Sequence, residues 1–248
     1  MGIGSERGFS MTLLTMNASD RFVANSTDIF QTHGVNLEVG YDFEVYRTLL
    51  AQARPNHTLG APFDPDLHEM TAENAFWIVG RTEQGQIMHT QALRMLDLDG
   101  LSVGEYFTQR FREFPPSGVD LDLERSRFRA GPSAKRMRGT CAYQGEYWIA
   151  PGNNGLRGRS LSSVLGRYAF VQAIQHWDPD HIMAFMVKAT AMRGLAEQGG
   201  YMHTQPGALR WYLRGDDVPV EGFMLHMDRD DLHYVLNLPV QDFVALAA

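Results

Sequence analysis

The pattern that most limits the fold lies at residues 161–174, where Leu161, Val164, Leu165, Tyr168, Val171 and Ile174 recur at helical spacing and define one apolar face. Ser160 precedes them as an N-cap. Strand-like runs flank the helix at residues 140–150 and 182–187. A second helical pattern, Phe43, Tyr46, Leu49 and Leu50, runs until Pro55 stops it. Two strands are expected at 75–80 and 87–95, joined by Glu83-Gln84-Gly85, then a short helix at 101–111, a proline turn at 114–117 and a strand at 120–129. After residue 187 a helix at 190–198 stops at Gly199-Gly200, and strands follow around 202–212 and 222–227. The chain is therefore α/β, with helices interleaved between strands after an antiparallel start. Residues 1–40 are weakly patterned and are expected to form a partly mobile N-terminal extension, with 41–248 as a single domain.

A net charge of −7 argues against a nucleic-acid binder that works by neutralising phosphates. No apolar run approaches the roughly 20 residues of a membrane span. The first residues lack a signal-peptide pattern, which leads to the expectation of a cytoplasmic protein. Cys141 is the single cysteine, so no internal disulfide forms, and its mid-strand place without an adjacent histidine indicates packing rather than nucleophilic chemistry. His68 beside Glu69 has no second ligand at a zinc spacing, so no metal is expected.

The element order is similar to the GNAT acyltransferase fold, a mixed central sheet with two splayed strands, flanked by helices. Three segments narrow the likeness: Glu124-Arg125-Ser126-Arg127-Phe128; Arg94 within Gln91-Ala92-Leu93-Arg94-Met95-Leu96; and Ala189-Thr190-Ala191-Met192-Arg193-Gly194-Leu195, closing at Gly200-Tyr201. Together they resemble the acyl-homoserine-lactone synthase family. The resemblance implies transfer of an acyl group from a thioester, carried by acyl carrier protein or coenzyme A, to the amine of S-adenosylmethionine. Lactone closure would follow, making a quorum-sensing signal with no further cofactor.

The roles implied are specific. Glu124 becomes the general base, Ser126 its orienting partner or the holder of a water, and Arg127 a catalytic and substrate-binding cation. Asp66, Glu69 and Arg94 join Arg127 around S-adenosylmethionine, whose ammonium, sulfonium and carboxylate call for both signs of charge. Glu124 and Arg127 are three apart, so they share a site only if the strand is bulged or Glu124 sits at its mouth. The glycine-rich turn at 153–158 offers backbone amides, and Arg157 and Arg159 suit the donor's phosphates. Trp148, Phe170, Phe185 and Met186 are candidates for the acyl pocket, with apolar Met186 favouring an unsubstituted chain.

Two features depart from the family. Its tryptophan after Leu-Gly is absent, since Leu59-Gly60 is followed by Ala61, and its N-terminal arginine could be matched by Arg47 or Arg54. An N-acyl amino acid synthase or another GNAT-fold N-acyltransferase is the alternative enzyme. A GNAT-like module that binds thioesters without turnover is the alternative outside catalysis.

Overall fold

A computed structural model describes residues 18–151 and 161–240. Along the chain run α1 (Ala18–Thr32), β1 (Val35–Gly40), α2 (Phe43–Ala53), β2 (Ala75–Thr82), β3 (Ile87–Leu96) and α3 (Val103–Arg110). Then come β4 (Leu121–Phe128), α4 (Pro132–Arg136), β5 (Cys141–Ile149), α5 (Leu161–Trp177) and β6 (His181–Val187). The short turns α6 (Lys188–Thr190) and α7 (Ala196–Gln198), then β7 (His203–Leu213), β8 (Val220–Asp228) and α8 (Arg229–Asn237) complete it.

The strands form one eight-stranded sheet in the order β1-β2-β3-β5-β6-β8-β7-β4. Every pairing is antiparallel except β5 with β6, whose parallel register needs the crossover that α5 supplies. That parallel pair is short. It runs from Cys141 opposite His181 to Gln144 opposite Ala184 and then ends. Beyond it, Trp148 and Ile149 stay with β3, while Phe185, Met186 and Val187 stay with β8. The two central strands therefore splay, and among the described residues their facing edges carry no strand partner past that point.

Each face of the sheet has its own core. On one side α5 is packed around almost its whole circumference, with Leu161, Val164, Leu165, Ala169, Phe170 and Val171 sealed from solvent. A helix apolar all round needs cover on every side, and α1 and α8 pack against it. The other core gathers Phe63, Phe107, Phe114, Tyr143 and Trp211 under α2 and α3. Residues 18–40, expected as part of a mobile extension, instead supply α1, whose Phe22 and Phe30 are buried in the first core, and β1, which pairs with β2. Ser, Asn, Thr and Asp dilute the spacing there, so the sequence carries only one narrow apolar stripe for this helix.

His89 on β3 is fully buried; its Nδ1 donates to the Trp148 carbonyl at 2.8 Å, and its Nε2 has no partner among the described residues. Burial pulls its pKa from 6.5 down to about 3, against a smaller opposing effect of the bond to Trp148. The unfolded chain thus takes up this proton first. The His89 contribution to stability is complete above about pH 6.5 and is lost as pH falls toward 3, at up to about 1.4 kcal/mol per pH unit. Urea midpoints measured down that range should fall more steeply for the native chain than for His89→Leu. Equal slopes would contradict this reading.

Candidate functional site

The splay opens a cavity of about 980 Å³ that passes between β5 and β6. Phe63, Phe114, Phe185, Trp211, Leu213 and Val220 give it apolar walls, whereas Arg54, His57, Glu146 and Arg193 bring charge or a titratable ring to them. A concave, mostly apolar site with a few convergent polar groups is the usual form of a small-molecule pocket.

Glu146 is the centre of the polar end. It sits on β5 with φ +53, a left-handed conformation uncommon for any residue but glycine. Its strand is bulged there: the register with β3 slips between Thr90, opposite Trp148, and Ala92, opposite Gly145. The bulge aims the carboxylate inward, where its side chain is only 7% exposed. Three donors meet it. The Gly60 amide donates to Oε1 at 2.9 Å, His57 Nε2 lies 2.7 Å from Oε2, and Arg54 Nη1 lies 3.4 Å from Oε2. The Arg54 guanidinium also faces the Trp148 ring, 5.9 Å from its centroid.

The sequence around residue 54 explains how these donors arrive together. Asp42 caps α2 by accepting from the Glu44 and Val45 amides, so Arg54 emerges at the C-terminal end of a fixed helix. Pro55 forbids further helix, Arg54 leaves helical geometry at φ −142 and ψ 74, and the His57 amide then closes a turn onto the Arg54 carbonyl at 2.8 Å. Gly60 can reach Glu146 because it has no side chain; a Cβ there would stand 2.7 Å from Oε1. Gly145 serves likewise, since a Cβ on it would strike the Phe63 ring at 2.5 Å.

A buried hydrogen-bonded chain supports the point of parting. Tyr201 Oη donates to Gln144 Oε1 at 2.7 Å, Gln144 Nε2 to Gln91 Oε1 at 2.9 Å, and Gln91 Nε2 to the Leu165 carbonyl at 2.9 Å. It ties β5, β3 and α5 together where β5 leaves β6.

The residues expected from the sequence motif fall elsewhere. β4 is the far edge of the sheet, separated from β6 by β8 and β7, so the Glu124 segment lies away from the parted strands. Glu124 is exposed, does not line the cavity and forms no ion pair with a described residue. Arg127 is exposed as well, and its Nη2 donates to the Arg125 carbonyl at 3.3 Å. The strand is irregular between Asp122 and Arg127, yet the residue its bend turns inward is Ser126. Ser126 Oγ donates to the Asp122 carbonyl at 2.7 Å and accepts from the Tyr212 amide at 3.0 Å, so it fills the bulge's own hydrogen bonds.

Asp66 is exposed and paired with Arg47 at 3.0 Å, and Glu69 is exposed. Arg94 is half-buried behind the cavity wall and donates to the Pro62 carbonyl at 2.6 Å, with burial lowering its pKa. Arg94 lies near the 62–69 loop that carries Asp66 and Glu69, since its charge acts on His68, whereas Arg127 is on the far edge strand and is not brought to them. Of the apolar candidates, Trp148, Phe185 and Met186 line the cavity, whereas Phe170 does not and packs edge-on to Tyr201 inside the α5 core. Arg157 and Arg159, with the turn that holds them, lie outside the described residues. Cys141 is fully buried, and burial pushes its thiol well above the usual range.

Among the described residues no helix is long and apolar enough to cross a membrane, and no cluster of metal-ligating side chains occurs. Glu124→Gln should therefore change folding stability by less than about 0.5 kcal/mol, as an exposed charge without an ion-pair partner does. A loss above about 2 kcal/mol in urea unfolding would contradict this placement.

No protein-family profile matches the chain, and no curated protein matches it. Solved structures similar to it include N-acetyltransferases. An N-acetyltransferase from Staphylococcus aureus Mu50 aligns with TM-score 0.43 and 10% identity over 79% of this chain and 98% of its own. A spermidine N-acetyltransferase from Vibrio cholerae, in complex with CoA and spermine, aligns with TM-score 0.43 and 9% identity over 81% of this chain and 98% of its own. A chimera of the Vibrio cholerae enzyme and hSSAT gives TM-score 0.46 and 11% identity, over 81% and 99%.

Proposed function

We propose that the chain is an N-acyltransferase that moves an acyl group from a thioester to an amine held at the polar end of the cavity. The observation that carries this is the parting of β5 from β6 around a large apolar cavity with the buried Glu146 carboxylate at its polar end; Glu221, which also lines it, is paired with Lys188. Unpartnered strand edges can hydrogen-bond an extended amide-bearing arm such as pantetheine, as an added strand would. Apolar walls accept the acyl chain, and 980 Å³ is far more room than an acetyl group fills. An ammonium must lose a proton before its nitrogen can attack the carbonyl, and the titratable groups at the Glu146 end are where that proton can go.

Acyl-homoserine-lactone synthesis is the narrower form of this reading, with S-adenosylmethionine as acceptor and methylthioadenosine released on ring closure. Its support is the sequence likeness at Arg94 and at residues 189–195, since the Glu124 segment lies away from the cavity. Under it, Glu146 takes the place assigned to Glu124, and Arg54 becomes the better of the two N-terminal arginine candidates because it lines the cavity. An N-acyl amino acid synthase fits the same geometry with a different amine. The donor would be acyl carrier protein or coenzyme A, with Arg157 and Arg159 toward its phosphates.

Mass spectrometry tests all of this directly. The protein is incubated with acyl thioesters of graded length, on coenzyme A and on acyl carrier protein, and with S-adenosylmethionine, amino acids or spermine. An acyl-homoserine lactone supports the narrower reading, and an acyl amide of another amine supports N-acyltransfer alone. Thioester binding without any amide product overturns the enzymatic reading.

A further inference from the structure

We propose that His57 is the group that accepts the amine's proton, with Glu146 as its positioning residue; this rests on the N-acyltransfer reading. His57 lines the cavity and is 19% exposed at its side chain. Its Nε2 lies 2.7 Å from Glu146 Oε2, and an ionised carboxylate can only accept, so Nε2 carries the hydrogen. Neutral imidazole then has its free lone pair on Nδ1, and that atom bonds no other described residue. Glu146 is already committed, because both of its oxygens accept from donors: the Gly60 amide on one side, His57 and Arg54 on the other. A carboxylate that fixes one imidazole nitrogen leaves the other poised as a base.

The remaining groups near Glu146 do not compete. Tyr46 from α2 and Tyr143 from β5 are held well above the usual phenol range, first by burial and then by the Glu146 charge, and stay neutral. Arg54 from the end of α2 is a cation and has no proton-accepting role.

The step balances as follows. The ammonium gives one proton to His57 Nδ1. The freed nitrogen pair forms the C–N bond as the carbonyl π pair moves onto oxygen. That pair returns, the C–S bond breaks and sulfur leaves as thiolate. The second proton of the adduct nitrogen neutralises the thiolate, and the imidazolium releases its proton to water.

Three variants and one turnover-independent readout test the assignment. His57→Gln and His57→Asn should each lower kcat by about 10²- to 10⁴-fold with KM nearly unchanged, and should remove the acidic limb of the pH–rate profile. Asparagine can still donate to Glu146, so a folded His57→Asn with the same loss separates base chemistry from packing. Glu146→Gln should lower kcat less, by about tenfold to a hundredfold, while the acidic limb persists. Long-range proton–nitrogen NMR of the native protein should show His57 protonated on Nε2, and Glu146→Gln should unsettle that tautomer. Hydrogen on Nδ1 would overturn the assignment. So would histidine variants with near-native kcat while Glu146→Gln abolishes the acidic limb. Absence of product from the native protein would instead defeat the transfer reading, and His57's role with it.

Discussion

Glu146→Ala should lose both turnover and about 2–4 kcal/mol of folding stability, read as a lower urea midpoint with an unchanged slope. The loss follows from what is left behind. Arg54 is 20% exposed and His57 19%, so removal of the carboxylate strands a guanidinium, an imidazole N–H and the Gly60 amide in poorly hydrated surroundings. Glu146→Gly adds a sign that ordinary strand positions do not show. Because residue 146 sits at φ +53, glycine there relieves backbone strain that alanine retains. The glycine variant should be the more stable of the two by about 1 kcal/mol, the reverse of the usual order within a strand. Alanine more stable than glycine would mean that β5 is not bulged at this residue.

The second large effect is expected at Gln144→Leu. The side chain is 5% exposed and accepts from Tyr201 while donating to Gln91. Leucine preserves volume but leaves the Tyr201 hydroxyl and Gln91 Oε1 without those partners, at about 2–4 kcal/mol in total. Tyr201→Phe removes one of the two groups and should cost less. A double-mutant cycle between the two positions should therefore show coupling, and strict additivity would contradict a connected chain.

Much of the fold was legible because strong periodicities mark it. The α5 face, the β2–β3 hairpin with Glu83-Gln84-Gly85, and the stop at Gly199-Gly200 each state their own structure. α1 leaves a weak signal because its apolar positions, Phe22, Val23, Ile29 and Phe30, are interleaved with short polar residues. The helix α8, at 229–237, is faint in sequence for a similar reason: aspartates and histidine crowd its exposed side.

The site was harder, and the reason is topological. Glu124 and Arg127 stand in a dense local motif, but local sequence does not encode that β4 leaves its neighbours and ends as an edge strand beside β7. Glu146 carried a quieter signal. Gly145-Glu146 interrupts a strand otherwise built from Tyr143, Tyr147, Trp148 and Ile149, and a glycine beside a charge there marks a bulge. His57 and Gly60 are separated from Glu146 by more than eighty residues and meet it only through the fold.

A crystal structure of the protein with a non-transferable acyl-pantetheine thioether would test the reaction centre most directly. The expected result places the sulfur between the parted ends of β5 and β6, the alkyl chain against Phe185 and Trp211, and the Glu146–His57 pair beside the carbonyl position. Density for the ligand along β4 next to Glu124, with the cleft between β5 and β6 empty, would contradict it.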